Sequence, residues 1–440
     1  MRFKMKKLLV LPLLYLLTFS LTAQTYDISQ YCARFERRPF LELNPQLSYN
    51  SLFSSIPNQD RHSGGAGLNV GWRESYNQDN RILNWTAVGQ ASFFRQEFED
   101  PDLFDVSQRN VLLQASLEDY RYYQPNRFWG IRVGAGLSHA YRLDFNQVSI
   151  RSTNINLNPG IFAGSGRIEF AEDALLANWM MDDLLEAGVI NAPTPEQRLA
   201  LAQRITSIIG NRTFDFRRRR IYELQQLNTL FAEEGIATQD DFLLFAILND
   251  NWAFANRATL PHGKRIQYGI DANTLYSYNS TPISFDQFFL SGRPYLNFQH
   301  AQIRHNNAST VLEVEIGAFY EEVLDDGSDQ FPIFNLRPQY GANLAFNHRY
   351  IWQPVSRTTL EWTNLVSFNY EDFTSDVVFI PNEERLFVVA RSGLQWNYFI
   401  NYNWRLTLNA GLQYQSSSTE GQSQNVFNPF LNLQTNYAIF

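Results

Sequence analysis

From Trp404 to Gln415 the chain alternates. Trp404, Leu406, Leu408, Ala410, Leu412 and Tyr414 share one parity, and Arg405, Thr407, Asn409, Gly411, Gln413 and Gln415 share the other. A period of two is the mark of a β-strand, whose successive side chains leave on opposite faces. The pattern recurs along the chain. Leu41, Leu43, Leu47 and Tyr49 alternate with polar neighbours, as do Leu68, Val70 and Trp72, then Leu83 to Phe93, Val111 to Leu117 and Trp129 to Leu137. A sixth candidate runs from Ser149 to Ile161. After an interruption the alternation resumes at Ile266 to Asn273, and seven further candidates lie near 287 to 302, 310 to 322, 334 to 350, 357 to 370, 386 to 400, 403 to 415 and 426 to 440. The stretch near 287 to 302 is the weakest, because its polar residues fall on both parities. The count is about fourteen strands, six before the interruption and eight after it.

The connections say what the apolar faces touch. Every second connection is short: Tyr76 to Asn80, Tyr123 to Asn126, His305 to Asn307, Trp352 to Ser356 and Ile400 to Asn403. The others are expected to be longer, including Phe53 to Ser63, Phe98 to Ser107, Val323 to Phe331, Glu371 to Glu384 and Ser416 to Asn425. Membrane barrels have short periplasmic turns and longer outer loops, whereas a soluble sandwich gives no reason for the lengths to alternate. Strands in hydrocarbon must also pair all their backbone groups, so the sheet has to close. The pattern therefore predicts an all-β transmembrane fold: a fourteen-stranded antiparallel barrel with water and polar side chains inside.

Between strands six and seven the period becomes helical. The expected division is residues 24–165 for the first barrel portion, 166–262 for an α-helical insert and 263–440 for the second barrel portion. Ala171 to Glu186 forms one candidate helix, ended by Gly188. Thr194, Pro195 and Gln197 supply a cap, a first-turn proline and a capping-box partner for a second. Phe216 to Glu234, with Gly235 behind it, makes a third, and Thr238 and Asp241 open a fourth that carries Phe242, Phe245, Leu248 and Trp252. The strand count puts this domain of about four helices in the periplasm. Arg212 and the run Arg217, Arg218, Arg219 and Arg220 could hold an anion or a partner through charge-assisted bonds. The plainer reading is an ion-paired helix surface served by Asp215, Glu223, Asp182, Asp183 and Glu186.

Composition adjusts this picture in three places. Residues 1–23, with Arg2, Lys4, Lys6 and Lys7 ahead of an apolar run and a small-residue end at Ala23, read as a secretory signal peptide. Aromatic residues make up 15 % of the chain and charged residues only 18 %, with a mean hydropathy of −0.32. Soluble domains carry about 25 % charged residues, so the balance suits a surface half facing lipid and half facing water. The net charge of −8 argues against nucleic acid as a partner. Cys32 is the only cysteine, which excludes an intrachain disulfide.

Candidate chemistry lies on the lumen-facing parity, with Arg73, Arg132, Asp271, Arg337, Glu361, Arg391, Arg405 and Asn409 as lumen-lining candidates. Such residues brace the wall as ion pairs or sort solutes by charge. No zinc-binding, CxxC or GxSxG pattern occurs, so neither catalytic residues, metal nor cofactor are expected. Trp72, Trp129, Trp352, Tyr398, Tyr402 and Trp404 read as residues of an interfacial girdle.

The mature chain resembles the outer-membrane β-barrel proteins of Gram-negative bacteria, and its LTAQ cleavage region is similar to those common in Bacteroidota. The closing VFNPFLNLQTNYAIF ends in Phe440, which resembles the terminal aromatic signature read by the barrel-assembly machinery. Here Phe440 shares its parity with Asn432, Gln434 and Asn436, so either a bulge shifts the register or Phe440 lies beyond the lipid face. The resemblance implies the outer membrane as location, with lipid or lipopolysaccharide and the assembly machinery as partners. The leading expectation is a porin-like channel for passive passage of small hydrophilic solutes, gated or plugged by the insert. The alternatives are a barrel anchor whose insert docks a periplasmic or outer-membrane protein, and a transporter of hydrophobic substrates.

Overall fold

The computed structural model describes residues 27–52, 61–98, 106–143, 149–211, 216–236, 238, 240–252, 260–280, 284–325, 336–375, 383–400, 404–419 and 422–438. The signal segment 1–23, Arg212, Asp215, Tyr402 and Phe440 lie outside the described residues. For Arg217, Arg218 and Arg337 only the backbone is described.

Six strands precede the helices: β1 (Phe35–Leu52), β2 (Arg61–Gln78), β3 (Arg81–Phe98), β4 (Val106–Gln124), β5 (Arg127–Leu143) and β6 (Ser149–Phe170). Eight follow them: β7 (Pro261–Ser280), β8 (Ser284–His305), β9 (Ala308–Asp325), β10 (Leu336–Val355), β11 (Thr358–Ser375), β12 (Glu383–Phe399), β13 (Trp404–Thr419) and β14 (Gln422–Ala438). Each pairs antiparallel with the next, and β1 meets β14, giving one closed fourteen-stranded barrel. The architecture is that of the outer-membrane β-barrels expected from the alternation. Even the weakly patterned stretch near 287 to 302 lies inside a strand, because its neighbours on both sides fix its register.

The two parities separate as the pattern requires. Leu113, Ile161, Ile270, Leu296, Leu412 and Leu431 are all exposed on the outer face. An apolar exterior around a polar interior is the reverse of a water-soluble protein, and lipid is the medium that suits it. Along β13 the outer face runs from Trp404 to Tyr414, about the ten residues a tilted strand needs to cross hydrocarbon. Trp72, Trp85, Trp129, Trp352 and Tyr398 mark the Trp404 end of the belt. No described helix is long and apolar enough to cross a membrane, which says nothing of crossing by strands.

At the Trp404 end the strands are joined tightly, through Asp79 and Asn80, Pro125 and Asn126, Asn306 and Asn307, and Ser356 and Arg357. The long connection expected over Ser416 to Asn425 is not found. β13 and β14 extend through most of it and leave only positions 420 and 421 between them, because polar Ser and Gln residues continue the ladder as Ser416↔Asn425, Ser417↔Gln424 and Ser418↔Ser423. The same ladder runs without a register shift to Tyr437. No bulge therefore intervenes, and Leu431 and Leu433 face outward while Asn432 pairs with Asn409 on the inner face.

The helices are α1 (Glu172–Glu186), α2 (Pro195–Gly210), α3 (Phe216–Glu233) and α4 (Asp241–Trp252). Thr194 and Gln197 form the reciprocal capping box ahead of α2. Asp240, rather than Thr238, accepts the Leu243 amide at the start of α4. Gly188 and Gly235 close α1 and α3 with positive φ, as expected of helix-ending glycines. Leu175, Met180, Leu184, Leu201, Ile205, Ile209, Leu227, Phe231, Leu248 and Trp252 are fully or almost fully buried in one core. That core also takes in Ile28, Tyr31 and Ala33, so the segment ahead of β1 is part of the helical domain.

Candidate functional site

β6 and β7 continue past the turns of the other strands, and the bend that aims them is built on two glycines. Gly166 (φ 90°) and Gly263 (φ 113°) adopt left-handed conformations, and a Cβ on either would strike a carbonyl of the facing strand at 2.1 to 2.2 Å. Beyond the bend Arg167 reaches the β2–β3 turn, donating to Asn77 Oδ1 (2.6 Å), Gln78 O (2.6 Å) and Asp79 O (2.7 Å). Its Nε pairs with Glu169 at 2.7 Å, and Glu169 accepts both terminal nitrogens of Arg34. The extension thus folds over the periplasmic mouth and carries the helices with it.

The helical cap is fastened at several points of the rim. On one side Arg38 of β1 donates to Asp173 (2.5 Å) and Glu172 (3.1 Å) at the start of α1. Asp173 also accepts from Thr206 of α2, which in turn meets the Tyr31 hydroxyl. Burial pushes the Glu172 carboxyl up to about 7 despite the pull of Arg38, and its Oε2 has no hydrogen-bond partner. On the other side Arg357, in the β10–β11 turn, donates to Asp250 of α4 at 2.6 Å. Phe35 and Ile303 pack against the cap's core from β1 and β8.

Under the cap part of the inner wall is buried. Ile82, Tyr120, Tyr122, Phe128, Phe162 and Tyr295 form a buried cluster on the inner face of β3 to β6 and β8. The ring centroids of Tyr120 lie 4.9 Å from Phe162 and 5.5 Å from Phe128, tilted or edge-on, as aromatic quadrupoles favour. Glycines make the room. A Cβ at Gly130 would lie 2.3 Å from the Phe162 ring, and one at Gly164 would lie 2.6 Å from the Phe128 ring. Gln267 donates to the Tyr295 hydroxyl at 2.7 Å, and the Arg265 guanidinium sits 4.7 Å from the Tyr120 centroid. Ile168, Ala301 and Val311 make a second patch. Inward residues from further round the barrel, Ser309, Ile351, Gln353, Asn397, Phe399 and Thr407, are buried as well. Buried inward residues therefore recur along the wall from β3 round to β13.

Higher in the barrel the inner residues are wetter. Arg132 pairs with Glu118 at 2.9 Å and Asp271 at 3.3 Å, just above the aromatic cluster. Nearer the Trp404 end Arg405 pairs with Glu42 at 3.1 Å, and Arg349 stands 3.7 Å from Glu361, which lies level with Ile351. Arg391 lies 4.8 Å from the Phe430 centroid and Arg73 5.0 Å from Phe40, both solvent-accessible. Asn409 is half-buried opposite Asn432. Arg337 belongs to β10, with only its backbone described. These candidates do not converge on one point: Arg132 and Asp271 share a network, whereas the rest are spread round the wall.

The arginine run on α3 forms no common site among the described residues. Arg219 pairs with Glu223 one turn on, and Arg220 bonds the Asn249 side chain and carbonyl on α4. Asp182 and Asp183 serve Arg198 and Asn251 instead. Among the described residues no group of three His, Cys, Asp or Glu side chains is arranged to hold a metal ion. The aromatic cluster went unseen in the sequence because Tyr120, Phe128 and Phe162 lie on the polar parity. The signal available was an aromatic two positions from a glycine on that parity, in Phe128–Gly130 and Gly160–Phe162–Gly164.

Solved outer-membrane barrels are similar over nearly the whole chain. A bacterial polysaccharide outer-membrane secretin is 10 % identical, covering 91 % of this chain and 99 % of its own, with a TM-score of 0.32. The Pseudomonas putida toluene transporter TodX is 8 % identical over 95 % and 94 %, with a TM-score of 0.29. The β domain of the Bordetella autotransporter BrkA is 6 % identical over 92 % and 100 %, with a TM-score of 0.30. At these values the likenesses carry no argument about function. No protein-family model and no curated protein matches the chain.

Proposed function

We propose that the protein is a gated transport barrel of the outer membrane, in its closed state, with a water-accessible outer lumen and a stopper made jointly by the aromatic cluster and the helical cap. The observation that carries the reading is the layer of buried inward side chains from β3 round to β13. A permanently open channel would leave those positions wet, and a passive pore therefore fits this arrangement less well than a gated one. The fastening of the cap by ion pairs on opposite sides of the rim, at Arg38 and at Arg357, supports a part that can be released without unfolding the wall.

Bilayer conductance tests it. The intact protein is expected to show no sustained open-channel current. Replacement of residues 171–260 by a short linker, combined with Phe128→Ala, is expected to yield one. A steady open current from the intact protein would refute the closed state, and silence in the combined variant, with the barrel still folded, would refute the stopper.

A second reading rests on a separate observation. Phe242 is 81 % exposed and Phe245 51 % on α4, and Ile221 and Tyr222 are similarly exposed on α3. Apolar side chains held out to water on a small domain favour a docking role for the cap, so the barrel would serve as the anchor of an envelope complex. Phe242→Ser with Phe245→Ser should then abolish co-purification of a partner and leave conductance unaltered.

A further inference from the structure

β1 and β14 close the barrel by very little. Neighbouring strands elsewhere pair along almost their full length, but β1 and β14 pair, among the described residues, only at Glu42↔Ala438 and Leu43↔Tyr437. Tyr437 lies opposite Trp404, at the periplasmic interface, and Phe427 lies opposite Tyr414 at the outer one. The seam is therefore unpaired across the hydrocarbon. Its periplasmic foot is tied, since Arg405 of β13 reaches past β14 to Glu42 of β1.

Three further observations agree. Pro45, two positions beyond the last paired residue Leu43, brings no N–H to a ladder, a residue that sheets confine to edges. β14 is exposed on both faces, with Leu431 (75 %) and Leu433 (62 %) outside and Asn428 and Asn432 exposed inside, as an edge strand is. On the inner wall beside the seam β2 presents glycine at 65, 67 and 71, and a Cβ at Gly71 would meet nothing within 4 Å.

We infer that the β1–β14 seam is a lateral portal between lumen and membrane, through which an amphiphile with a polar head and an apolar chain passes. This deepens the transport reading and rests on it. With the periplasmic end stopped, the seam is a way out of the lumen that leaves the cap in place. Its chemistry selects the passenger. Unpaired amides and carbonyls in hydrocarbon need polar partners, which a head group or accompanying water supplies, while Phe427, Leu431 and Leu433 face the chain. A sugar or an ion finds no favourable path beyond the lumen.

The test uses the full-length protein with Cys32→Ser, in vesicles, with a fluorescent long-chain fatty acid and a small sugar as probes. Continuing the register places Pro45 opposite Thr435, so oxidised Pro45→Cys/Thr435→Cys zips the seam. Fatty-acid transfer should fall to that of protein-free vesicles and return on reduction, and a control disulfide between Tyr398→Cys and Leu406→Cys, inside an intact ladder, should change nothing. Unaltered transfer with the seam disulfide formed overturns the portal. Where the disulfide does not form, a photoreactive residue at Leu433 decides. Labelling by the fatty acid well above that at the lipid-facing control Leu394 supports the portal, and equal labelling, or cross-links to protein instead, overturns it. If the sugar passes through the intact protein and the fatty acid does not, the portal and the closed state both fall. If neither passes, the portal falls and the closed barrel stands on its own conductance test.

Discussion

At the scale of single residues, facing decides tolerance. Leu408 and Asn409 are neighbours on β13, but Leu408 looks to lipid and Asn409 to the lumen. Leu408→Arg is expected to cost about 2 to 4 kcal/mol near the membrane midplane, and Asn409→Arg far less; urea unfolding in lipid would measure the difference, and equal costs would reverse the facing. Gly166→Val adds branching where φ is positive and a carbonyl stands 2.1 Å from any Cβ. It should lose at least about 1 to 2 kcal/mol and loosen the cap, read as faster protease cleavage between α2 and α3. Facing was legible in the sequence because it needs only a period. The aromatic cluster was not, because its rings sit on the polar parity and meet only after β4 to β8 are assembled into one wall.

At the scale of elements, local signals and distant ones part company. The α2 capping box follows from Thr194 and Gln197 alone, and Thr194→Ala should cost about 1 kcal/mol of cap stability, measurable by hydrogen exchange in α2. The fastening of the cap has no such local signature. Arg38 meets Asp173 from 135 positions away, and nothing in the spacing of charges predicts it. Of the acidic residues that the sequence offers to the α3 arginines, Glu223 serves Arg219, whereas Asp182 and Asp183 are drawn off by Arg198 and Asn251. The fastening also brings a pH dependence. Glu172 sits at about 7 when docked against 4.5 when free. Below the lower value both states hold the proton; between the two the undocked state releases it first. Docking is therefore strongest in acid, weakens as pH rises from 4.5 to about 7, and is level above that. Glu172→Gln should flatten this slope in a protease-protection assay run across the range.

At the scale of the molecule, the barrel is a cylinder of uneven rigidity. The ladders from β2 to β13 run nearly the full length of the strands, so their amides should exchange with solvent most slowly. The amides of β14 above Tyr437 that look toward β1 lack partners among the described residues and should exchange orders of magnitude faster than those between β12 and β13. Exchange mass spectrometry in detergent would show one fast strand bordering slow ones. Uniform protection round the barrel would mean that the seam zips in solution.

The segment before β1 is stitched into the helical core through Ile28, Tyr31 and Ala33. In the order of synthesis it is made ahead of the strands, yet the helices that bury it are made only after six strands have emerged. That segment has to wait, unsheltered, for a later stretch of the same chain. Until that meeting Ile28, Tyr31 and Ala33 have no core to enter, so their burial is set by residues made far later than themselves.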